Sequence, residues 1–434
     1  MVFWFAYNVL FVVGYMLMFP KFRVRMCKRG GYRRGFGERF GVYDEENTRR
    51  LAERRRIWVH AVSVGEVFVA LRLMEEMRKA APQTAFVLTT TTSTGHSIAS
   101  KMLTEPDDML LYFPCDFSMV AKRTVRSIRP LALVLTECEL WPNLIRHAAA
   151  DGVPVILMNG RVSEASYRGY RLLRVFMKDV LQEISMLLVQ TDDDARRLLA
   201  LGARAESVRV MGTVKYDVAK HDEEGIALAR EVIKSCGFGE SDKIIVGGST
   251  WPGEELVLMR AYAKLRSRFS GLRLVVAPRH VERRGEVEAE IKREGLTHVR
   301  RSEVDGGLLD PAPDLLLIDT TGELKNFYAC ASVIFVGKSL FSEGGQNIIE
   351  AAMFSKAVMV GPHMENFPDV IEEFHANEGI VQVQDVAEFD VRLAELLADD
   401  GLRNGYGERA AEVIESRKGV VRASVEAILA RIQT

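Results

Sequence analysis

From residue 57 onward, short apolar runs alternate with longer intervals in which apolar positions recur at helical spacing. In the first half these runs are 57–61, 85–90, 109–113, 131–135, 154–158, 184–190 and 208–211. Such runs are too short for helices and suit strands buried on both faces, and strands alternating with helices imply parallel βαβ units. A polar helical interval follows over 215–240, and the runs restart at Lys243 with IIVGG, continuing at 272–277, 315–318, 333–336, 358–360 and 380–383. A chain of 434 residues also exceeds one ordinary core. The pattern therefore predicts an α/β protein of two doubly wound, Rossmann-like parallel-sheet domains, 21–212 and 243–400. They are joined by a linker over 213–242 and face across a ligand cleft. Residues 401–434 show only helical period.

The amino terminus breaks the pattern. Residues 2–19 have no charge, and Asn8 is their one strongly polar side chain, so the segment is long enough to cross a bilayer or lie within it. Behind it stand Lys21, Arg23, Arg25, Lys28, Arg29, Arg33, Arg34 and Arg39 against the single acid Glu38. Cations on this flank keep it in the cytoplasm by the positive-inside rule. A cleaved signal would have its cations ahead of the apolar run, so residues 1–20 read as a retained membrane anchor with the chain behind it on the cytoplasmic face. The competing reading is a buried amino-terminal helix.

Composition narrows the partners. A net charge of −1 supplies no general attraction to nucleic acid, and none is expected as a partner. Five widely spaced cysteines with no CxxC argue against a disulfide framework or a zinc site.

Candidate chemistry collects where strands end. In WVHAVSVGEV, residues 58–67, a strand passes into a helix through Ser63, Gly65 and Glu66. Glu66 reads either as the acid of a capping box with Ser63 or as a carboxylate at the ligand-binding edge of the sheet. Glu137 and Glu139 follow the fourth run; two apart, they either serve a partner or substrate or favour the helix that Pro142 opens. A basic, aromatic helix holding Tyr167, Arg168, Tyr170, Arg171, Arg174 and Lys178 suits either anionic headgroups or solvent. In the second half, Ser249 and Thr250 cluster hydroxyls ahead of a helix, and Arg279 and His280 end the next run. Gly322 and Glu323 open another helix. In GKSLFSEGGQNIIE, residues 337–350, Lys338 ends a strand, Gly344 and Gly345 allow close backbone approach, and Gln346 and Asn347 start a helix bearing Glu350. Four strand-end sites of one character favour a phosphate-bearing ligand.

These residues resemble the Kdo (3-deoxy-D-manno-octulosonic acid) transferases of lipopolysaccharide assembly, nearly end to end. The likeness rests on the apolar amino terminus with its basic flank and on HAVSVGE (60–66), ELWPNL (139–144) and Gly160-Arg161. It continues through PRH (278–280), GEL (322–324), GGQN with Glu350, and GPH (361–363). The resemblance implies a GT-B glycosyltransferase associated with the inner membrane that moves Kdo from CMP-Kdo to a lipid A precursor, with inversion, its carboxy-terminal helices (401–434) packing back across the cleft. It implies Glu66 as general base, its carboxylate turned to the cleft rather than closing the cap, and Glu139 as a second acceptor-side carboxylate beside Glu137. Arg279, Gly322, Glu323, Asn347 and Glu350 become the CMP-binding set, and no cofactor or essential metal is implied. Two positions depart from the family pattern: Lys338 stands where a glycine is usual, and Gln346 where a histidine is frequent. The rivals are another GT-B nucleotide-sugar enzyme, a hexosyltransferase or epimerase, and a non-catalytic membrane-tethered nucleotide-binding protein.

Overall fold

The computed structural model describes residues 2–29, 35–218 and 221–433. Arg33 and Arg34 lie outside the described residues, as do the side chains of Lys21, Arg23, Arg25, Lys28 and Arg29. The chain divides into two compact units, one of residues 1–218 with 418–434, the other of residues 219–417.

The first unit is built on strands β1 (Ile57–Ala61), β2 (Phe86–Thr90), β3 (Met109–Tyr112), β4 (Leu133–Thr136), β5 (Val155–Gly160), β6 (Met186–Val189) and β7 (Val208–Val210). All pair in parallel in the order β3-β2-β1-β4-β5-β6-β7. Strand order reverses between β1 and β4, so a crevice opens beyond their carboxyl ends, where doubly wound sheets bind ligands. Every β1 side chain is buried, as a central parallel strand requires. The helix Val420–Gln433 returns to this unit: Val420, Val421, Val425 and Ile428 join the core beneath the helix Val64–Ala80. The Asp217 carboxylate accepts the Gly419 and Val421 amides at 2.7 and 2.8 Å and fixes that return.

The second unit repeats the plan with β8 (Lys243–Thr250), β9 (Leu272–Pro278), β10 (His298–Arg300), β11 (Leu315–Leu317), β12 (Val333–Val336), β13 (Ala357–Val360) and β14 (Val381–Gln382). The order is β10-β11-β9-β8-β12-β13-β14, again all parallel, with the reversal between β8 and β12. Two such sheets are the architecture of GT-B enzymes.

Arg39, the last cation of the basic flank, is buried, donates to the Thr91 carbonyl at 2.9 Å and lies over the Tyr112 ring. Two expectations need correction. The basic helix after β5 is two helices, Glu164–Leu172 and Arg174–Gln182, broken at Leu173. The helix expected from Gln346 begins only at Ile349 and runs four residues to Ala352, and the helix after Gly322 is the equally short Leu324–Phe327.

Candidate active site

In the first unit, β1 and β4 deliver three carboxylates to the switch point. Glu66 follows β1. Its Oε2 accepts the Val62 amide at 2.9 Å and lies 2.9 Å from the Thr136 hydroxyl, while Oε1 accepts the Ser63 amide at 3.2 Å. Ser63 Oγ accepts the Glu66 amide in return, so the capping box is closed. The expectation that Glu66 turns away from the cap is thereby corrected. Two amides released at the end of β1 and a hydroxyl from β4 converge on it, and swinging it out would strand both amides.

Glu137 and Glu139 follow β4. Glu137 holds a left-handed backbone, φ 56°, unusual for a side chain with a Cβ. Burial raises its carboxyl and the Glu66 charge adds to this, against Lys215 and Arg161. Glu139 is pushed up to about 7, first by burial and then by the Glu66 charge, with the Trp141 hydrogen bond opposing. Trp141 Nε1 donates to Glu139 at 2.8 Å, and its ring packs 5.3 Å from Phe113, which in turn stacks on His60 at 3.5 Å. His60 is fully buried, and burial holds its imidazole down at about 3, so it is neutral. Lys215 was read in the sequence only as the start of a polar interval. The signal lay in its place just past β7, and Asn159 supplies the tether: at φ 54° its side chain accepts the Val214 amide at 3.2 Å.

In the second unit the residues around the β8/β12 reversal fall into two groups. One faces inward. Glu254 accepts the amides of Trp251 and Lys338 at 2.8 Å and those of Ser339 and Leu340 at 3.0 Å, so the turn after β12 already holds an internal anion. Thr250 is buried and donates to Glu255, which pairs with Arg283 at 2.7 Å. A Cβ on Gly248 would sit 2.0 Å from the Tyr328 hydroxyl, so that glycine serves packing. Glu323 accepts from Thr320 at 2.6 Å and pairs with Arg301 at 3.1 Å, beside exposed Gly322.

The other group reaches the surface. Arg279 and His280 are exposed past β9, and the His280 ring meets Trp251 edge-on at 5.8 Å. Lys338 adopts the left-handed conformation, φ 57°, with its ammonium 5.0 Å above the Trp251 ring. The same ammonium lies 3.0 Å from where a Gly344 Cβ would be. Gly344 and Gly345 both take positive φ, and a Cβ on Gly345 would strike the Met364 sulfur at 2.5 Å. The Gly344 amide donates to Glu365 at 2.5 Å. Half-buried Gln346 precedes Asn347, whose side-chain oxygen accepts the Ile349 amide at 3.1 Å. Burial raises the Glu350 carboxyl, against the charges of Lys325 and Arg279 and the Asn347 side chain. Half-buried Ser249 has φ 53° and completes the rim.

Two doubly wound sheets, with carboxylates at one switch point and cations beside a glycine turn at the other, define a glycosyltransferase of the GT-B class. A family model described as 3-deoxy-D-manno-octulosonic-acid transferase (kdotransferase) matches residues 34–218. A 3-deoxy-D-manno-octulosonic acid transferase from Bordetella pertussis is 31% identical, with 86% of each chain covered. One of the same name from Haemophilus influenzae is 28% identical over 96% of each. The chain spans about half, 52%, of a bifunctional glycosyltransferase/methyltransferase from Fusobacterium nucleatum, at 30% identity. Among solved structures, a glycosyltransferase from Rickettsia africae shares the fold alone, with a TM-score of 0.58 at 12% identity, covering 88% of this chain and 99% of that one. The chain belongs to the 3-deoxy-D-manno-octulosonic acid transferase family.

Proposed function

We propose that the chain transfers Kdo from CMP-Kdo to a hydroxyl of the lipid A precursor, lipid IVA, with inversion, on the cytoplasmic face of the inner membrane. The first unit holds the acceptor and the second the donor. The observation that carries this is the carboxylate cluster at the β1/β4 switch point, in a chain of this family.

Glu66 is the general base. Three polar groups hold its carboxylate in one rotamer, and Oε1, with a single amide, keeps a lone pair for the proton. As the acceptor O–H bond gives its proton to Glu66, the oxygen forms a bond to the anomeric carbon, and the bond from that carbon to the CMP phosphate breaks, with its electron pair leaving on CMP. Arg279 and Lys338 offset the charge growing on the phosphate, a role that requires no metal ion. Glu139, next to Glu66, orients the acceptor hydroxyl.

Glu66→Gln tests the assignment. Glutamine keeps an oxygen for the cap but takes no proton, so transfer falls at least ~100-fold while CMP affinity by calorimetry is unchanged. Transfer at the wild-type rate would remove Glu66 from the mechanism.

A further inference from the structure

We infer that the amino-terminal helix lies in the plane of the membrane and enters one leaflet together with a second apolar element, the corner at Leu172, Leu173 and Val175. This deepens the membrane-associated reading above and rests on it, naming the surface that meets the lipid.

As far as Phe19 the helix Val2–Arg29 has no charged side chain on any side, yet its partly covered residues fall on one half of the surface, with Trp4, Tyr7, Asn8, Phe11, Tyr15 and Phe19 at helical three- and four-residue steps and Val12 and Gly14 beside them. That half is docked on the first unit. Trp4 and Tyr7 pack on Phe176 at 5.1 and 5.4 Å, and Phe11 and Tyr15 pack on Phe117 at 5.1 and 5.0 Å. Polar bonds fix the register: Tyr7 donates to buried Asp116 at 2.8 Å, and Asn143 donates to Asn8 at 3.0 Å. From Trp4 to Tyr15 the docked stretch is roughly 16 Å long at 1.5 Å per residue, whereas crossing a bilayer takes about 30 Å of helix free of polar protein. A helix held along so much of its length cannot stand upright through the hydrocarbon without dragging Asp116 and Asn143 in with it. Lying flat, it keeps every contact.

The uncovered face of the helix is apolar: Phe5, Leu10, Val13, Met16 and Leu17 are exposed. The domain extends that face. Phe176, under Trp4 and Tyr7, is next to the break between the two helices after β5, where Leu172, Leu173 and Val175 are 87%, 56% and 60% exposed. Nothing in the unit's core calls for three adjacent apolar side chains in water. Around them stand Arg171, Arg174 and Lys178, all exposed, and Arg146 caps the Trp4 ring at 4.5 Å. Apolar residues rimmed by cations match an anionic bilayer: the side chains reach the acyl boundary while the cations meet headgroup phosphates. This charge complementarity selects lipid over an apolar protein partner. The broken helix, which the sequence pattern read as continuous, presents the three residues at a corner rather than around a helix.

Two measurements on the full-length protein test the inference. In flotation with phosphatidylethanolamine/phosphatidylglycerol vesicles, L172S/L173S/V175S binds at least ~10-fold more weakly than wild type with an unchanged melting temperature. Replacing Arg171, Arg174 and Lys178 by Gln weakens binding about fivefold per cation on these vesicles and leaves neutral phosphatidylcholine vesicles unaffected. In inside-out inner-membrane vesicles, an amino-terminal epitope tag is cut by added protease without detergent. Wild-type-like flotation of the triple serine variant would overturn the second insertion element. A tag protected until detergent is added would overturn the in-plane helix. Failure of the wild type itself to float would instead remove the membrane-associated reading.

Discussion

Glu66 and Glu139 act on each other through charge, and that coupling gives the site a pH signature. Because burial and the Glu66 charge raise Glu139 to about 7, Glu139 is protonated below that pH and ionised above it. In the proposed mechanism ionised Glu139 orients the acceptor hydroxyl, so kcat should rise as pH increases through about 7. In Glu139→Gln the titrating carboxyl is gone, and the pH profile should lose this limb. An unaltered limb in that variant would assign the titration elsewhere. The acids were legible as candidates because they sit where apolar runs end. Their coupling was not, since it depends on β1 and β4 being neighbours, a pairing between residues about seventy positions apart.

At the level of elements, buried parallel strands were readable to within a residue or two because both faces are apolar. The strand His298–Arg300 escaped notice: it is a half-buried edge strand with two polar residues. Short helices at Leu324–Phe327 and Ile349–Ala352 were overestimated, since glycine-rich turns precede both and hold the backbone out of helical conformation. The turn after β12 accounts for the glycine usual at the position where this chain has Lys338. Position 338 takes a left-handed conformation that favours glycine, and the Glu254 carboxylate, 84 residues away in sequence, holds it there. Lysine therefore carries a strain of roughly 1 kcal/mol in order to hold a cation over Trp251. Lys338→Gly should raise the stability of the second unit by up to about 1 kcal/mol in chemical denaturation while weakening CMP-Kdo binding. Gain on both counts would mean the cation has no part in donor binding.

At the scale of the whole chain, pattern and motif located two sheets and the family. They did not locate the inward-facing half of the donor-side residues: Thr250 read as one of the hydroxyls of a ligand site, yet it donates to Glu255 within the unit, where Glu254 also faces inward. Strand-end position says which edge a residue occupies; which way it faces is decided by long-range partners such as Arg283 and the Lys338 turn. The return of Val420–Gln433 to the first unit depends on the same kind of contact, through Asp217. The central claim is Kdo transfer to a lipid acceptor, and mass spectrometry of lipid IVA incubated with purified protein and CMP-Kdo tests it most directly. The account predicts acceptor mass increased by Kdo residues, with release of CMP. Unmodified lipid IVA, together with turnover of a UDP-sugar by the same preparation, would contradict it.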